Sequence, residues 1–217
     1  MKRLVLTCVI AVVLFTAVFG LAYPLLFTGF SQVVFPGASN GSKIERDGKL
    51  VGSRLLAQDF RKPVIGPNGR PKTDADGNPV LAPDRRYFQS RPSTATSYNP
   101  AGSAFTNLGP NSKDARDTFK ANLDAYLALE RRYDPGLTAA RVPVDAVTSS
   151  ASGVDPHISP ANAAIQAHRI AAVRSLPLAR VNQLIDDNTD GRSLGVLGEP
   201  GVNVLELNLA LDSLTSR

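Results

Sequence analysis

A chain of 217 residues, 43% apolar and 20% charged, is long enough for one anchor and one compact domain of about 180 residues. Its net charge of +5 falls to +3 without Lys2 and Arg3, and no block of like charge remains, so nucleic acid is not an expected partner despite a pI of 9.6. The single cysteine, Cys8, excludes an internal disulfide and a cysteine metal centre.

The first element is an apolar run. No charge occurs from Leu4 to Phe30, and the next charged residue after Arg3 is Lys43. Leu4 to Phe27 is mostly Leu, Val, Ile, Ala and Phe, and about 20 such residues span a bilayer core. A cleaved signal peptide would have a shorter apolar core and a small-residue cleavage site, whereas Ala22-Tyr23-Pro24-Leu25-Leu26-Phe27 stays apolar. Residues 1–30 are therefore expected to be an uncleaved anchor. Lys2 and Arg3 hold the N-terminus in the cytoplasm by the positive-inside rule, which places residues 31–217 outside it. Pro24 is expected to bend the last helical turn, and residues 31–41 to form a polar connector.

Asp47-Gly48, flanked by Ser42–Arg46 and Lys49–Leu56, is a strong hairpin signal. Residues 61–84 alternate proline and glycine with few apolar side chains, as expected of a surface loop or extruded hairpin turned at Asp76-Gly77. Asp74-x-Asp76 lacks the glycine and the later glutamate of a calcium loop. No internal repeat is expected. Turn formers and aromatics then alternate from Tyr87 to Pro110, in an ordered but irregular loop.

Asn111 or Ser112 is placed to cap a helix running to about Tyr133, stopped by Asp134-Pro135-Gly136. Ser159 is an N-cap with Pro160 at the first helical position of a helix to about Arg174. Pro177 starts another, with Leu178, Val181, Leu184 and Ile185 facing inward. The closing run Val202–Asp212 reads as a strand passing into a short helix. The fold class is α+β: a single N-terminal transmembrane helix followed by one mixed α/β extracytoplasmic domain, with 61–84 as an inserted loop.

Chemistry is sparse. Gly41-Ser42-Lys43 lacks the upstream glycine of a P-loop. Ser152, Asp155 and His157 are close in sequence, which keeps a membrane-anchored hydrolase as an alternative, but no nucleophile-elbow motif surrounds the serine. The simpler reading is that Asp155 and Ser159 satisfy backbone donors where a helix starts, with His157 beside them. His168 is expected mid-helix as a surface or partly buried residue. Two histidines without a further cluster make no metal site.

The block Val147-Thr148-Ser149-Ser150-Ala151-Ser152-Gly153-Val154-Asp155-Pro156-His157-Ile158-Ser159-Pro160 resembles the C subunit family of the Kdp-type potassium-transporting ATPase. Gly20 to Leu25, Asn40 to Ser53, Tyr87 to Ser93, Tyr98-Asn99-Pro100, Asn107-Leu108-Gly109 and Val202 to Asp212 resemble it in order. Residues 64–84 look inserted relative to its shortest members, and Gly102–Thr106 departs from its usual sequence. The resemblance implies a non-catalytic accessory subunit of a high-affinity potassium uptake pump in a bacterial inner membrane. Its implied partners are a channel-like potassium-translocating A subunit, a P-type ATPase B subunit, a small single-span subunit and the bilayer. It also implies a catalytic-chaperone role that raises ATP affinity, with no firmly bound cofactor and with Thr148, Ser149, Ser150, Ser152 and Gly153 as nucleotide-related residues. Partner-contact candidates are Gly20, Tyr23, Pro24, Tyr98, Asn99, Asp155, His157, Asn203 and Asn208. The positive-inside reading opposes direct ATP contact, because a domain outside the cytoplasm does not meet cytoplasmic nucleotide.

Overall fold

The computed structural model describes residues 1–93, 102–104 and 106–215. The chain divides into two compact units, Met1–Ser53 and Arg54–Arg217.

The first unit opens with an uninterrupted helix, Lys2–Val34, 33 residues long and apolar enough to cross a membrane. It consists of α1 (Lys2–Phe15), a π-helical stretch (Thr16–Ala22) and α2 (Tyr23–Val34). Pro24 has no N–H for the carbonyl of Gly20, and its ring crowds that carbonyl in a regular α-helix. A wider turn just before a proline relieves this crowding, so the helix passes Pro24 and continues. The helix thus extends into the expected connector, which begins only at Phe35. There φ −130° and ψ 58° break the helix, because the following Pro36 disfavours helical geometry at the residue before it. A single turn, α3 (Pro36–Ser39), follows. The hairpin forms where expected: β1 (Lys43–Arg46) pairs antiparallel with β2 (Lys49–Ser53). Asp47 and Gly48 both take positive φ (52° and 71°), as a tight hairpin turn requires.

In the second unit, β3 (Arg61–Pro63) pairs with β4 (Leu81–Pro83), and the inserted segment lies between them. This segment corrects one expectation: it contains a repeat of eight residues. Ile65-Gly66-Pro67-Asn68-Gly69-Arg70-Pro71-Lys72 and Thr73-Asp74-Ala75-Asp76-Gly77-Asn78-Pro79-Val80 make equivalent turns. Gly66 N–H bonds Arg70 O and Gly69 N–H bonds Gly66 O; eight residues on, Asp74 bonds Asn78 and Gly77 bonds Asp74 in the same way. Val64, Lys72 and Val80, spaced by eight, close a ring of three backbone hydrogen bonds, each 2.8 Å. Two proline-bounded turns therefore stand where one was expected. Only the turn residues repeat, because the segment buries too little for apolar positions to be shared.

Helix α4 (Lys113–Glu130) is capped by Ser112, whose Oγ accepts from Ala115 N–H at 3.3 Å. After short 3₁₀ turns come β5 (His157–Ile158), α5 (Pro160–Arg174), α6 (Leu178–Asp187), β6 (Thr189–Asp190), β7 (Gly201–Asn203) and α7 (Val204–Thr215). The three short strands form one antiparallel sheet in the order β5-β7-β6. Phe88, Ile170, Val181, Val202, Leu207 and Leu211 are all fully buried in the main core against this sheet. The C-terminal run is more helical than expected. Leu205, Leu207, Leu209 and Leu211 alternate as in a strand, yet Val204, Leu207, Asn208 and Leu211 are buried at helical spacing. Asn203 Oδ1 accepts from Glu206 N–H at 3.2 Å and starts the helix there.

Residues 85–89 belong to no strand, and Phe88 among them is fully buried in the core. Side chains satisfy backbone groups of this stretch. Asn208 accepts from Phe88 N–H at 2.9 Å and donates to Phe88 O at 3.0 Å. Gln166 does the same for Gln89, at 2.8 and 3.1 Å. Arg169 Nη1 donates to Arg85 O and Tyr87 O at 2.8 and 2.9 Å. A buried backbone group without a partner is costly, so these side chains stand in for a missing strand.

Candidate functional site

The serine-rich block folds into one turn, several of whose polar groups bond within the domain. Ser150 Oγ accepts from Gly153 N–H at 2.8 Å, and Ser152 Oγ accepts from Val154 N–H at 3.2 Å. The two hydroxyls lie 3.3 Å apart. Gly153 takes φ 72°, a left-handed geometry that glycine adopts without strain. Thr148 Oγ1 donates to Val144 O at 2.9 Å, and Ser93 Oγ donates to Gly153 O at 2.8 Å. Ser103 Oγ and Ala104 N–H both donate to Ser152 O, at 2.9 and 3.1 Å.

Arg91 ties this turn to the acid at the entry of β5. Its guanidinium reaches Ser149 O at 3.2 Å, Thr148 Oγ1 at 3.4 Å and the Asp155 carboxylate at 3.3 Å. Burial alone raises the Asp155 carboxyl, but hydrogen bonds from the His157 ring and backbone, with Arg91 beside it, hold it below the usual range. His157 is raised above its ordinary value by Asp155; burial opposes this and Asp190 adds to it. The start of α5 is equally occupied. Asp145 accepts from Ser159 N–H and Oγ, both at 2.8 Å, and from Asn162 Nδ2 at 3.0 Å.

The candidate residues from sequence fall into separate groups. Thr148, Ser149, Ser150, Ser152, Gly153, Asp155 and His157 are brought together around Arg91. Asn203 and Asn208 are buried and occupied within the fold: Asn203 caps α7 and donates to Arg54 O at 2.9 Å, and Asn208 serves Phe88. Gly20, Tyr23 and Pro24 lie exposed on the long helix, where Tyr23 packs on Phe27 with ring centroids 4.6 Å apart. Tyr98 and Asn99 lie outside the described residues. Asp145, Asp190 and Arg54 were not singled out from sequence, and Arg91 entered only within the resembling stretch Tyr87 to Ser93, with no role given to it. No local spacing links Asp145 to Ser159 or Arg54 to Asp190, since the partners come from distant parts of the chain.

These geometries bear on chemistry. A phosphate-binding turn presents free backbone N–H groups. Here those of Gly153 and Val154 are directed to Ser150 and Ser152. A serine nucleophile needs a base within hydrogen-bond reach. Among the described residues no hydrogen bond joins His157 to Ser152, and both ring nitrogens face carboxylates. No group of three or more His, Cys, Asp or Glu is placed to hold a metal among the described residues. A cleft of about 360 Å³ lies beside the turn, walled by residues including Ser90, Ser93, Asn122, Tyr126 and Gln166.

Residues 5–213 match the family model described as KdpC: K+-transporting ATPase, c chain. A protein of Bradyrhizobium diazoefficiens named potassium-transporting ATPase KdpC subunit is 43% identical over 217 residues, covering 100% of both chains. Like-named proteins of Burkholderia orbicola (45%) and Polaromonas naphthalenivorans (44%) align over 216 residues. These alignments cover 98% and 99% of this chain and 97% and 96% of theirs, respectively.

Proposed function

The chain belongs to the KdpC family of K+-transporting ATPase c chains, and from that premise we propose that it is a non-catalytic subunit that assembles and couples the pump. Its partners in this reading are the channel-like potassium-translocating A subunit, the ATPase B subunit and a small single-span subunit. Residues 1–30 anchor it in a bacterial inner membrane, and residues 31–217 lie on the periplasmic side. The observation that carries the reading is the helix Lys2–Val34. It is 33 residues long with no buried residue in any of its segments, so its apolar surface calls for lipid and partner helices. The helix offers two close-approach points: a Cβ at Gly20 meets only Thr16 Cγ2, at 3.8 Å, and one at Gly29 meets nothing within 4 Å.

Any assistance to ATP binding runs, in this reading, through protein contacts rather than through the serine-rich turn, where the Gly153 and Val154 N–H groups bond Ser150 and Ser152 Oγ. The positive flank of Lys2 and Arg3 supports the same conclusion. The test replaces residues 4–30 with an unrelated apolar span of equal length. Loss of co-purification with the channel-like and ATPase subunits, and of uptake at micromolar potassium, is expected. Intact assembly reduces the helix to a tether and overturns the proposal. Protease added to spheroplasts should cleave the domain, and full protection refutes the periplasmic placement.

A further inference from the structure

His157 stands between two carboxylates from different parts of the second unit. Its Nδ1 lies 3.5 Å from Asp155 Oδ1, and its Nε2 lies 3.3 Å from Asp190 Oδ2. An ionised carboxylate only accepts hydrogen bonds, while a neutral imidazole has one N–H and one lone pair. Both contacts attract only when both nitrogens carry a proton, so this is the geometry of an imidazolium. Removing the proton turns a lone pair toward one carboxylate.

The charges around the ring form one chain. Asp155 is joined to Arg91, which reaches Thr148 and Ser149 of the serine-rich turn. Asp190, on β6, is joined to Arg54 at 2.7 Å, and Arg54 Nε reaches Glu206 of α7 at 3.1 Å. From β7 the neighbour is Gly201, where a Cβ would meet His157 atoms at 3.3–3.4 Å. The absence of a side chain there lets the ring lie flat against the strand and reach both acids.

The two contacts are not equivalent. Asp155 Oδ1 also accepts the His157 backbone N–H at 3.0 Å and is 30% exposed, whereas Asp190 is 50% exposed. A neutral ring therefore keeps its one proton on Nδ1 toward Asp155 and gives up Asp190. Beyond Asp190 the chain enters the loop between β6 and β7. Leu194 and Val196 at its tip are 90% and 72% exposed, and Leu194 is held at φ 54°.

We propose that His157 is a proton-operated clasp: charged, it ties Asp190 and the β6–β7 loop beyond it to Asp155 and the serine-rich turn, and on losing its proton it gives up Asp190, leaving Arg54 as that carboxylate's remaining tie among the described residues and the loop looser. The stabilising contact is complete below the ordinary histidine value of 6.5 and is lost as pH rises through the raised folded value. The clasp is a property of the fold and holds wherever the domain sits.

The test uses the full chain in detergent micelles. His168→Gln leaves one imidazole, so a single ¹³Cε1 resonance reports His157. Its midpoint should lie above the ordinary value of a free imidazole, and Asp190→Asn should lower it. Trypsin cleavage after Arg192, normalised at each pH to a small peptide substrate, should rise several-fold across that midpoint. The rise should vanish in His157→Gln and in Asp190→Asn. A midpoint at or below the free value, a flat wild-type cleavage profile, or a rise that persists in both variants overturns the clasp.

Discussion

Replacing Arg169 by methionine tests how the second unit is held together. Arg169 Nε lies 2.9 Å from Glu130 Oε1, with the two side chains 0% and 1% exposed. Burial raises the Glu130 carboxyl, and Arg169 opposes that rise. Among the described residues Glu130 Oε2 has no hydrogen-bond partner, and Arg169 is the one charged group at hydrogen-bond distance of the carboxylate. Arg169→Met leaves this charge uncompensated, which costs about 3–5 kcal/mol. It also strips the carbonyls of Arg85 and Tyr87 of a shared donor, so the total is a large share of the roughly 5–15 kcal/mol that holds a domain folded. Glu130→Gln in the same chain removes the stranded charge and should recover about 2 kcal/mol. Urea unfolding of the full chain in detergent measures this by tyrosine fluorescence, since the chain has five tyrosines and no tryptophan. Acid should shrink the single-variant deficit. Without Arg169 the folded Glu130 value moves further up, so its contribution is complete below the ordinary 4.5 and lost as pH rises through the folded value. Additive losses in the double variant, or a deficit unchanged by acid, refute the argument.

The contacts lead to four further outcomes. Asn208→Leu strands both Phe88 backbone groups in the core and should cost about 2–4 kcal/mol in urea midpoint analysis. Ser159→Ala removes the α5 cap and one Asp145 bond, for a loss of about 1–2 kcal/mol by the same assay. The Asp155 carboxyl sits below its ordinary 3.8, so its contribution is complete above that value and is lost as pH falls through the folded one; Arg91→Ala should raise the Asp155 midpoint seen by ¹³C carboxyl shifts. Gly20→Leu should leave membrane insertion intact while lowering co-purification with the partner subunits, as gradient sedimentation of the complex would show.

Local signals in the sequence locate the elements that depend on neighbouring residues. Ser112 and Ser159 cap the helices they precede, Asp47-Gly48 turns its hairpin, and the apolar run is one long helix. Misreadings arise where two local rules compete. Alternating leucines in Val204–Leu211 suggest a strand, but Asn203 supplies a cap and one helical face is buried, so burial decides. Pro24 suggests a bend in a last turn, but a π-helical stretch precedes it and the helix runs on to Val34. The polar core is not legible because its partners are far apart in sequence. Glu130 meets Arg169 across 39 positions, and Asn208 meets Phe88 across 120. Arg91 stands within the recognisable stretch Tyr87 to Ser93, but nothing in that stretch shows that it organises a turn 57 positions on.

The contrast between the two units bears on mechanism. The long helix presents its whole apolar surface outward, so it cannot be at rest alone in water and its free energy depends on lipid and partners. In the second unit the serine-rich turn, Asp145, Asn203, Asn208 and Gln166 all direct their polar groups inward. In the serine-rich turn the Gly153 and Val154 N–H groups go to Ser150 and Ser152 Oγ, while Ser149 O and Thr148 Oγ1 accept from Arg91, which also holds Asp155. Locked turns of this kind transmit displacement as rigid parts, because packed and hydrogen-bonded interiors resist continuous deformation. A push on the β6–β7 loop would therefore reach Asp190, His157, Asp155 and Arg91 in sequence, with no ligand needed along the way. If the serine hydroxyls serve only this locking, Ser150→Ala and Ser152→Ala should reduce stability and uptake in proportion. A variant that kept full stability but lost uptake would instead point to direct contact between the turn and a partner.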